Sequence, residues 1–218
     1  MRLTKYGHAC VRLEKDGRTV VIDPGKFSGD GVLEGADTVL ITHEHFDHFD
    51  TEALRAAAEK NPALEIYGCE AVISKLGDLA APTRAVREGD SFRTNGFGVK
   101  VIGEWHAPNH PDQPIVQNVG YLVDERLFYP GDALTPPGVE VPTLLVPTNA
   151  PWLKLPEWIE YLRQVRPGRA FSTHDGLLNE VGLKLIEGYE GALSPQGTTT
   201  RAQAAVVIYR LLMQLHQL

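Results

Sequence analysis

A short apolar run that ends abruptly in a cluster of histidines is the feature that most restricts how this chain can fold. Residues 38–41 (Thr-Val-Leu-Ile) are typical of a strand that is buried on both faces. They are followed at once by Thr42-His43-Glu44-His45-Phe46-Asp47-His48. Alternate residues on extended backbone point the same way, so His43 and His45 can face one common point. The pattern therefore predicts a buried strand that ends at a functional site.

The residue types in this cluster are those that a divalent metal ion takes in a catalytic site, namely imidazole nitrogens and carboxylate oxygens. The turn after His45 can direct Asp47 and His48 toward a second metal position. A structural zinc usually recruits cysteine and closes its fourth position, but Cys10 and Cys69 both lie far from the cluster in sequence. A metal-free histidine cluster and a structural zinc are thus the weaker alternatives, and we predict a catalytic metal site.

Four ligands from one loop rarely complete a site for two metals, so further ligands must come from distant segments. Three candidates stand where a predicted strand passes into a loop, which is where α/β proteins collect functional groups: His106, Asp132 and His174. Each of them alone would more often be a loop or packing residue. Together with the cluster they indicate a set of metal ligands.

Strand-rich stretches followed by helices occur in both halves of the chain. Turn signals predict hairpins at Asp16-Gly17, Asn95-Gly96 and Asp124-Glu125. Helix-favouring composition or helical spacing of apolar residues marks segments 51–61, 70–80 and 155–167, and Asp50 or Thr51 can cap the first of them. This order predicts an α/β protein with two packed sheets and helices outside them.

Composition excludes some classes of function. The 218 residues are 43% hydrophobic and 22% charged, which allows a sizeable core. A net charge of −7 argues against a nucleic-acid partner held by a broad basic surface. The chain has neither a signal-peptide core at its start nor an apolar run of membrane-spanning length. We therefore expect a cytoplasmic protein without a membrane partner, and two cysteines suit that reducing compartment.

These residues, in this order, resemble the metallo-β-lactamase superfamily, and within it the small bacterial metal-dependent hydrolases near the ascorbate-6-phosphate lactonase-like proteins. Besides residues 42–48, the motifs that carry the similarity are Tyr6-Gly7-His8-Ala9-Cys10, Val21-Ile22-Asp23-Pro24-Gly25, Asn118-Val119-Gly120-Tyr121-Leu122, Gly131-Asp132, Ala150-Pro151-Trp152 and His174-Asp175. The resemblance implies a four-layer αββα sandwich, which we assign to residues 1–190.

The resemblance also implies a ligand set for two divalent metal ions. The first ion would take His43, His45 and His106, the second would take Asp47, His48 and His174, and Asp132 would bridge the two. Zinc is the expected metal, with manganese or iron as alternatives. Asp47 could also orient the attacking hydroxide or receive its proton, so Asp47 and His174 are the candidate catalytic residues.

The chemistry of such a pair suggests the function. Two cations about 3.5–4 Å apart lower the pKa of a shared water toward about 7, which provides hydroxide at neutral pH. We therefore expect a two-metal hydrolase of a small ester, lactone or phosphodiester. An iron-dependent oxidoreductase, acting on oxygen or a persulfide, is an alternative on the same scaffold.

Five further polar or aromatic residues are candidates for supporting roles. Asp23 could hold a ligand histidine in the required tautomer, and a simple turn role explains it equally well. His8 and His110 are candidates for contact with a metal ligand or with substrate. The alternatives are a buried structural role for His8 and an ordinary loop role for His110. Trp152 and Lys154 could line a pocket, although ordinary loop packing is the simpler explanation.

The resemblance ends near residue 188. Residues 194–205, followed by an apolar segment, resemble part of an S-layer homology repeat, which raises a non-enzymatic cell-envelope binding protein as a second alternative. A capped amphipathic helix within residues 191–218, packed on the domain or on a partner subunit, is the simpler interpretation. We therefore expect a small-molecule substrate as the main partner and a homo-oligomer as an option.

Overall fold

Two six-stranded sheets account for the strands in the computed structural model, which describes residues 1–178. The first sheet has the order β1 (Arg2–Lys5), β2 (Val11–Lys15), β3 (Arg18–Ile22), β4 (Thr38–Ile41), β5 (Glu65–Gly68) and β6 (Thr83–Ala85). The second sheet has the order β12 (Arg169–Thr173), β11 (Thr143–Pro147), β10 (Leu127–Tyr129), β9 (Gly120–Val123), β8 (Phe97–Ile102) and β7 (Ser91–Thr94). Each sheet therefore comes from one half of the chain.

Both sheets begin with antiparallel hairpins and end with parallel strands. The pairs β1–β2 and β2–β3 are antiparallel, and β3 to β6 run parallel. In the second sheet β7 to β10 are antiparallel neighbours, and β10 to β12 run parallel. The three predicted hairpin turns are confirmed, and each has positive φ at both central residues, as the right-handed twist of the strands requires: Asp16-Gly17, Asn95-Gly96 and Asp124-Glu125.

Alternation of apolar residues along the second sheet separates its two faces. Val99, Val101, Tyr121 and Val123 belong to a core that the two sheets share. The intervening residue Leu122 belongs instead to a second apolar cluster, on the helix side of the sheet. A period of two is what a sheet buried on both faces requires, so the two sheets pack face to face.

In the described part of the chain, three helices cover the outer faces: α1 (Thr51–Lys60), α2 (Glu70–Leu76) and α3 (Leu155–Val165). Leu54 of α1 and Val72 of α2 pack into the core of the first sheet, whereas Trp158 and Leu162 of α3 pack on the second. Asp50 caps α1 by accepting the backbone N–H groups of residues 52 and 53. The layers are thus helix, sheet, sheet, helix, which confirms the predicted αββα sandwich.

The element bounds differ from prediction in two places. Helix α2 ends at Leu76 rather than at residue 80, because Gly77 adopts φ 56° at its C-cap. Strand β6 was not predicted, since three residues of which two are exposed carry no apolar pattern. The predicted tail at 191–218 lies outside the described residues. Among residues 1–178, no helix is both long and apolar enough to cross a lipid bilayer.

Candidate metal centre

The predicted ligands follow strands that end at one edge of the sandwich. His43 follows β4, His106 follows β8, Asp132 follows β10 and His174 follows β12. Their side chains are buried, and the rings of His43 and His106 have centroids 5.0 Å apart. Residues that lie up to 131 positions apart in sequence (43 to 174) are thereby collected in one cluster.

The three residues of the first predicted set lie close enough together to bind one metal ion. The nearest nitrogens of His43, His45 and His106 all lie within 4.8 Å of one another. His43 Nε2 is 3.1 Å from His45 Nδ1, which places these two ring nitrogens side by side. Three imidazoles converging at such distances have the ligand types and spacing of a zinc-type site.

The second predicted set lies beside the first. Ligand atoms of Asp47, His48, His174 and also His8 lie within 4.8 Å of one another. Asp47 Oδ2 is 3.3 Å from His174 Nε2 and 3.9 Å from His48 Nε2. This group contains both a carboxylate and imidazoles, which is a donor set that accepts zinc, manganese or iron.

Asp132 contacts both sets. Its Oδ1 lies 3.3 Å from His48 Nε2, and its Oδ2 lies 2.9 Å from His174 Nε2 and 3.5 Å from His106 Nε2. Trp152 Nε1–H donates a hydrogen bond of 3.2 Å to the same Oδ2. The Asp132 carboxylate thus lies between the two groups of imidazoles.

The ring orientations follow from the hydrogen bonds at Nδ1. Nδ1–H of His48 donates to Asp23 Oδ2 at 2.7 Å, that of His174 donates to the Asn149 carbonyl at 2.7 Å, and that of His106 donates to the Ala107 carbonyl. His43 donates to Thr42 Oγ1 at 2.9 Å, since that hydroxyl gives its own hydrogen to Asp23. In its neutral form each ring therefore has its lone pair at Nε2, which is the form that metal ligation requires.

The surroundings of two of these Nε2 atoms indicate whether the site can bind a metal ion. His48 Nε2 and His106 Nε2 are buried and have no hydrogen-bond partner among the described residues. Buried polar atoms in folded proteins nearly always have a partner, and a lone pair without one is unfavourable. Cations bound at the two predicted positions would satisfy one nitrogen each, so the donor set fits the predicted metals.

The charges of the site also favour a cation. Burial by itself raises the pKa of the Asp132 carboxyl, but the surrounding histidines outweigh burial and hold that pKa well below its usual range. Burial lowers the pKa of His174, yet Asp132 and Asp47 raise it to about 9. Asp47 likewise has a lowered pKa, because His174 and His8 outweigh the effect of its burial. Two ionised carboxylates thus attract positive charge into the cluster.

Asp23 supports the cluster through hydrogen bonds to Thr42 and His48. It is fully buried, and besides His48 it accepts the backbone N–H and the hydroxyl of Thr42, each at 2.7 Å. Its φ of 51° lies in the left-handed region, which aspartate tolerates better than most residues. This geometry is consistent with the role predicted for Asp23, which is to hold a ligand histidine, here His48, in the tautomer that metal binding requires.

Asn118 and Gly131 form a support that the sequence reasoning did not assign. Asn118 Oδ1 accepts the Asp132 N–H at 3.0 Å, and its amide donates to the Pro130 carbonyl at 2.8 Å. Gly131 has φ 66°, and a Cβ there would lie 2.3 Å from Asn118 Oδ1 and 2.8 Å from Thr42 Cβ. Trp152, for which simple packing was the favoured role, both packs and donates to Asp132. These three residues lie in motifs that carry the family resemblance, and this was the signal in the sequence that could have identified them.

His8 belongs to the cluster, but its hydrogen bonds make it a donor. The Gly176 N–H donates to His8 Nδ1 at 3.0 Å, so the ring hydrogen resides on Nε2. That Nε2–H donates to Asp47 Oδ2 at 3.0 Å. His8 therefore orients the Asp47 carboxylate rather than offering a lone pair of its own.

Replacing His8 with alanine is expected to weaken metal binding at the second position about 10- to 100-fold, the usual effect of losing a residue that orients a ligand. Competition with a chelator of known affinity measures this effect, and the metal affinity of the first position should be unchanged.

His110 provides the matched control. It lies in an exposed loop beside Asp112, outside the clusters found in residues 1–178, so its substrate contact stays a prediction. Equal affinities for His8→Ala and His110→Ala would contradict this role of His8.

Comparison with known proteins identifies the family. Residues 2–174 match the family model described as the beta-lactamase superfamily domain. Protein Rv0786c of Mycobacterium tuberculosis is 40% identical over 184 residues, which span 82% of this chain and 85% of that protein. A UPF0173 metal-dependent hydrolase of Aeropyrum pernix is 36% identical over 107 residues, or 47% of this chain and 42% of its own.

A solved structure shows the same fold. A protein of Parabacteroides distasonis, assigned as a metal-dependent hydrolase, superposes with a TM-score of 0.68 at 23% identity, covering 83% of this chain and 84% of its own. The lactonase-like branch and the S-layer resemblance stay predictions, and the family model ends at residue 174, before the tail. The sandwich, the family model and the identity to the mycobacterial protein together show that the chain belongs to the metallo-β-lactamase superfamily.

Proposed function

We propose that the protein is a metal-dependent hydrolase that holds two divalent ions at this centre. One ion would be held by His43, His45 and His106, the other by Asp47, His48 and His174, and Asp132 would be shared. The observation that carries the proposal is the pair of buried Nε2 atoms of His48 and His106, which have no hydrogen-bond partner and lie 3.3 and 3.5 Å from the two different oxygens of Asp132. The names of the relatives support the same class of activity.

When bound, a pair of divalent ions supplies a nucleophile at neutral pH and stabilises the negative charge that develops on the substrate. The chain's own residues orient this chemistry. Asp23 and the loop carbonyls fix the imidazole rings, and Trp152 fixes Asp132. Asp47 is partly exposed and is held by His8, so its carboxylate can orient an attacking water by accepting a hydrogen bond from it.

The substrate class we propose is a small ester, lactone or phosphodiester, with zinc as the expected metal. His45 and Asp47 are the partly exposed members of the cluster, so substrate would approach from their side. An all-nitrogen and oxygen ligand set also accepts manganese or iron. The oxidoreductase alternative uses the same ligands, and an iron requirement with oxygen consumption would identify it.

Metal analysis tests the proposal directly. We expect protein purified without chelator to contain about two transition-metal ions per chain, as a two-metal hydrolytic site requires. Removal of the metal should abolish hydrolysis of a panel of esters, lactones and phosphodiesters, and zinc or manganese should restore it. Protein that neither contains metal nor takes it up on reconstitution would refute the proposal.

A further inference from the structure

Two exposed phenylalanines lie beside the metal centre. Phe27 is 40% exposed and Phe46 is 59% exposed, and their rings meet edge to face with centroids 5.5 Å apart. Leu177, 59% exposed, follows Gly176, which contacts His8. Single exposed apolar residues are ordinary, but adjoining aromatic rings at the border of a polar site indicate a binding surface.

The backbone holds this aromatic pair in place. The Lys26 N–H donates to the Phe46 carbonyl at 2.8 Å, which joins the loop after β3 to the histidine loop. Gly25 lies so close that a Cβ there would be 2.0 Å from the Asp47 carbonyl carbon. The chain before Phe27 therefore packs directly on the chain around Phe46, and this close approach sets where the two rings meet.

The pair is continuous with the metal centre. The Phe27 ring meets the His8 ring edge to face at 5.4 Å, and His8 donates to Asp47. In sequence, Phe46 lies between His45 and Asp47, the two partly exposed members of the cluster. A molecule that reaches the centre from this side would therefore contact the aromatic rings.

The two carboxylates of the centre have no basic side chain as a partner. Within residues 1–178, the ion-pair partners of Asp47 and Asp132 are all histidines, and neither carboxylate pairs with lysine or arginine. The nearby Lys75 pairs with Glu44. Sites that recognise phosphate generally present an arginine or lysine to its oxygens. Since bound metal ions would accept either a carbonyl or a phosphate oxygen, selection of an uncharged substrate would rest on the aromatic pair.

We propose that Phe27 and Phe46 bind the apolar group of an uncharged ester or lactone whose carbonyl lies at the metal centre. This inference rests on the proposed function and narrows its substrate class by setting phosphodiesters aside. In the reaction, water adds to the carbonyl carbon and the bond from that carbon to the alkoxy oxygen breaks. The alkoxy oxygen takes a proton, which gives an acid and an alcohol, or one hydroxy acid from a lactone.

Kinetics on a matched series test the proposal first. We expect kcat/KM for 4-nitrophenyl hexanoate to exceed that for the acetate about tenfold, because four further methylenes are partly buried. Bis(4-nitrophenyl) phosphate should be the poorest substrate. Phe46→Ala and Phe27→Ala should reduce the hexanoate preference to about twofold or less while leaving metal content unchanged. Val139→Ala removes another exposed apolar side chain, from the loop between β10 and β11, and should retain the full preference.

Direct binding provides a second test that needs no turnover. Hexanohydroxamate should bind zinc-loaded protein about tenfold more tightly than acetohydroxamate in calorimetry, and either phenylalanine variant should largely abolish that difference. Equal affinities in the parent protein, or a difference that survives in both variants, would overturn the apolar site even if esters are hydrolysed. Conversely, loss of the difference in both variants without any hydrolysis would support the apolar site and refute the hydrolase.

Discussion

Replacing Asp132 with alanine should reduce kcat/KM on the order of 10,000-fold, the scale seen when one member of a cooperating catalytic set is removed. Asp132 contacts His48, His106 and His174 at 2.9–3.5 Å, so its loss removes the one carboxylate common to both proposed metal positions. We therefore expect metal content to fall from about two ions per chain to one or fewer.

Metal analysis and steady-state kinetics on the same preparations measure this effect. Asp112→Ala is the matched control, since the Asp112 side chain is 90% exposed in the loop after His106. It should retain both metals and full activity. Asp132→Asn keeps the size of the side chain but removes its charge, and it should bind metal more weakly than the parent. An Asp132→Ala protein with two ions and more than about a tenth of the activity would contradict a shared ligand.

The candidate ligands could be predicted from sequence because each lies next to a recognisable strand. The apolar run at 38–41 ends at His43, and His106, Asp132 and His174 stand at similar transitions. Strands β3, β4 and β10–β12 take part in parallel pairs, so the loops after them gather at one edge of the sandwich. The local sequence pattern was therefore sufficient to identify candidate ligands. Their assignment to two metal positions came from the family resemblance.

The supporting contacts could not be predicted in the same way because they join segments far apart in sequence. His8 meets Gly176 across 168 positions, and Asn118 meets Asp132 across 14. No local period encodes such contacts, and a lone histidine or asparagine carries little information by itself. The Phe27–Phe46 contact depends likewise on a close backbone approach at Gly25, which only the packed structure reveals.

Asp23→Ala should be the most destabilising single change near the centre. Asp23 is fully buried and accepts three hydrogen bonds of 2.7 Å, from the Thr42 N–H, the Thr42 hydroxyl and His48 Nδ1–H. Alanine would leave those donors buried without an acceptor, and each such group costs about 1–3 kcal/mol. Alanine also adopts the φ of 51° less readily than aspartate does. We expect the free energy of unfolding to fall by about 3–5 kcal/mol.

Denaturant unfolding of metal-free protein measures this loss, because a chelator removes any contribution from metal binding to the folded state. Asp23→Asn is the informative companion, since asparagine tolerates the same backbone conformation and retains one carbonyl acceptor for Thr42 or His48. Its destabilisation should be about half that of alanine, but its metal affinity should still fall about 10- to 100-fold, because the His48 ring is less firmly held. If Asp23→Ala lowers the unfolding free energy by less than about 1 kcal/mol, the three hydrogen bonds do not support the loop. Stability unchanged in Asp23→Asn together with weakened metal binding would instead assign Asp23 to orienting the ligand alone.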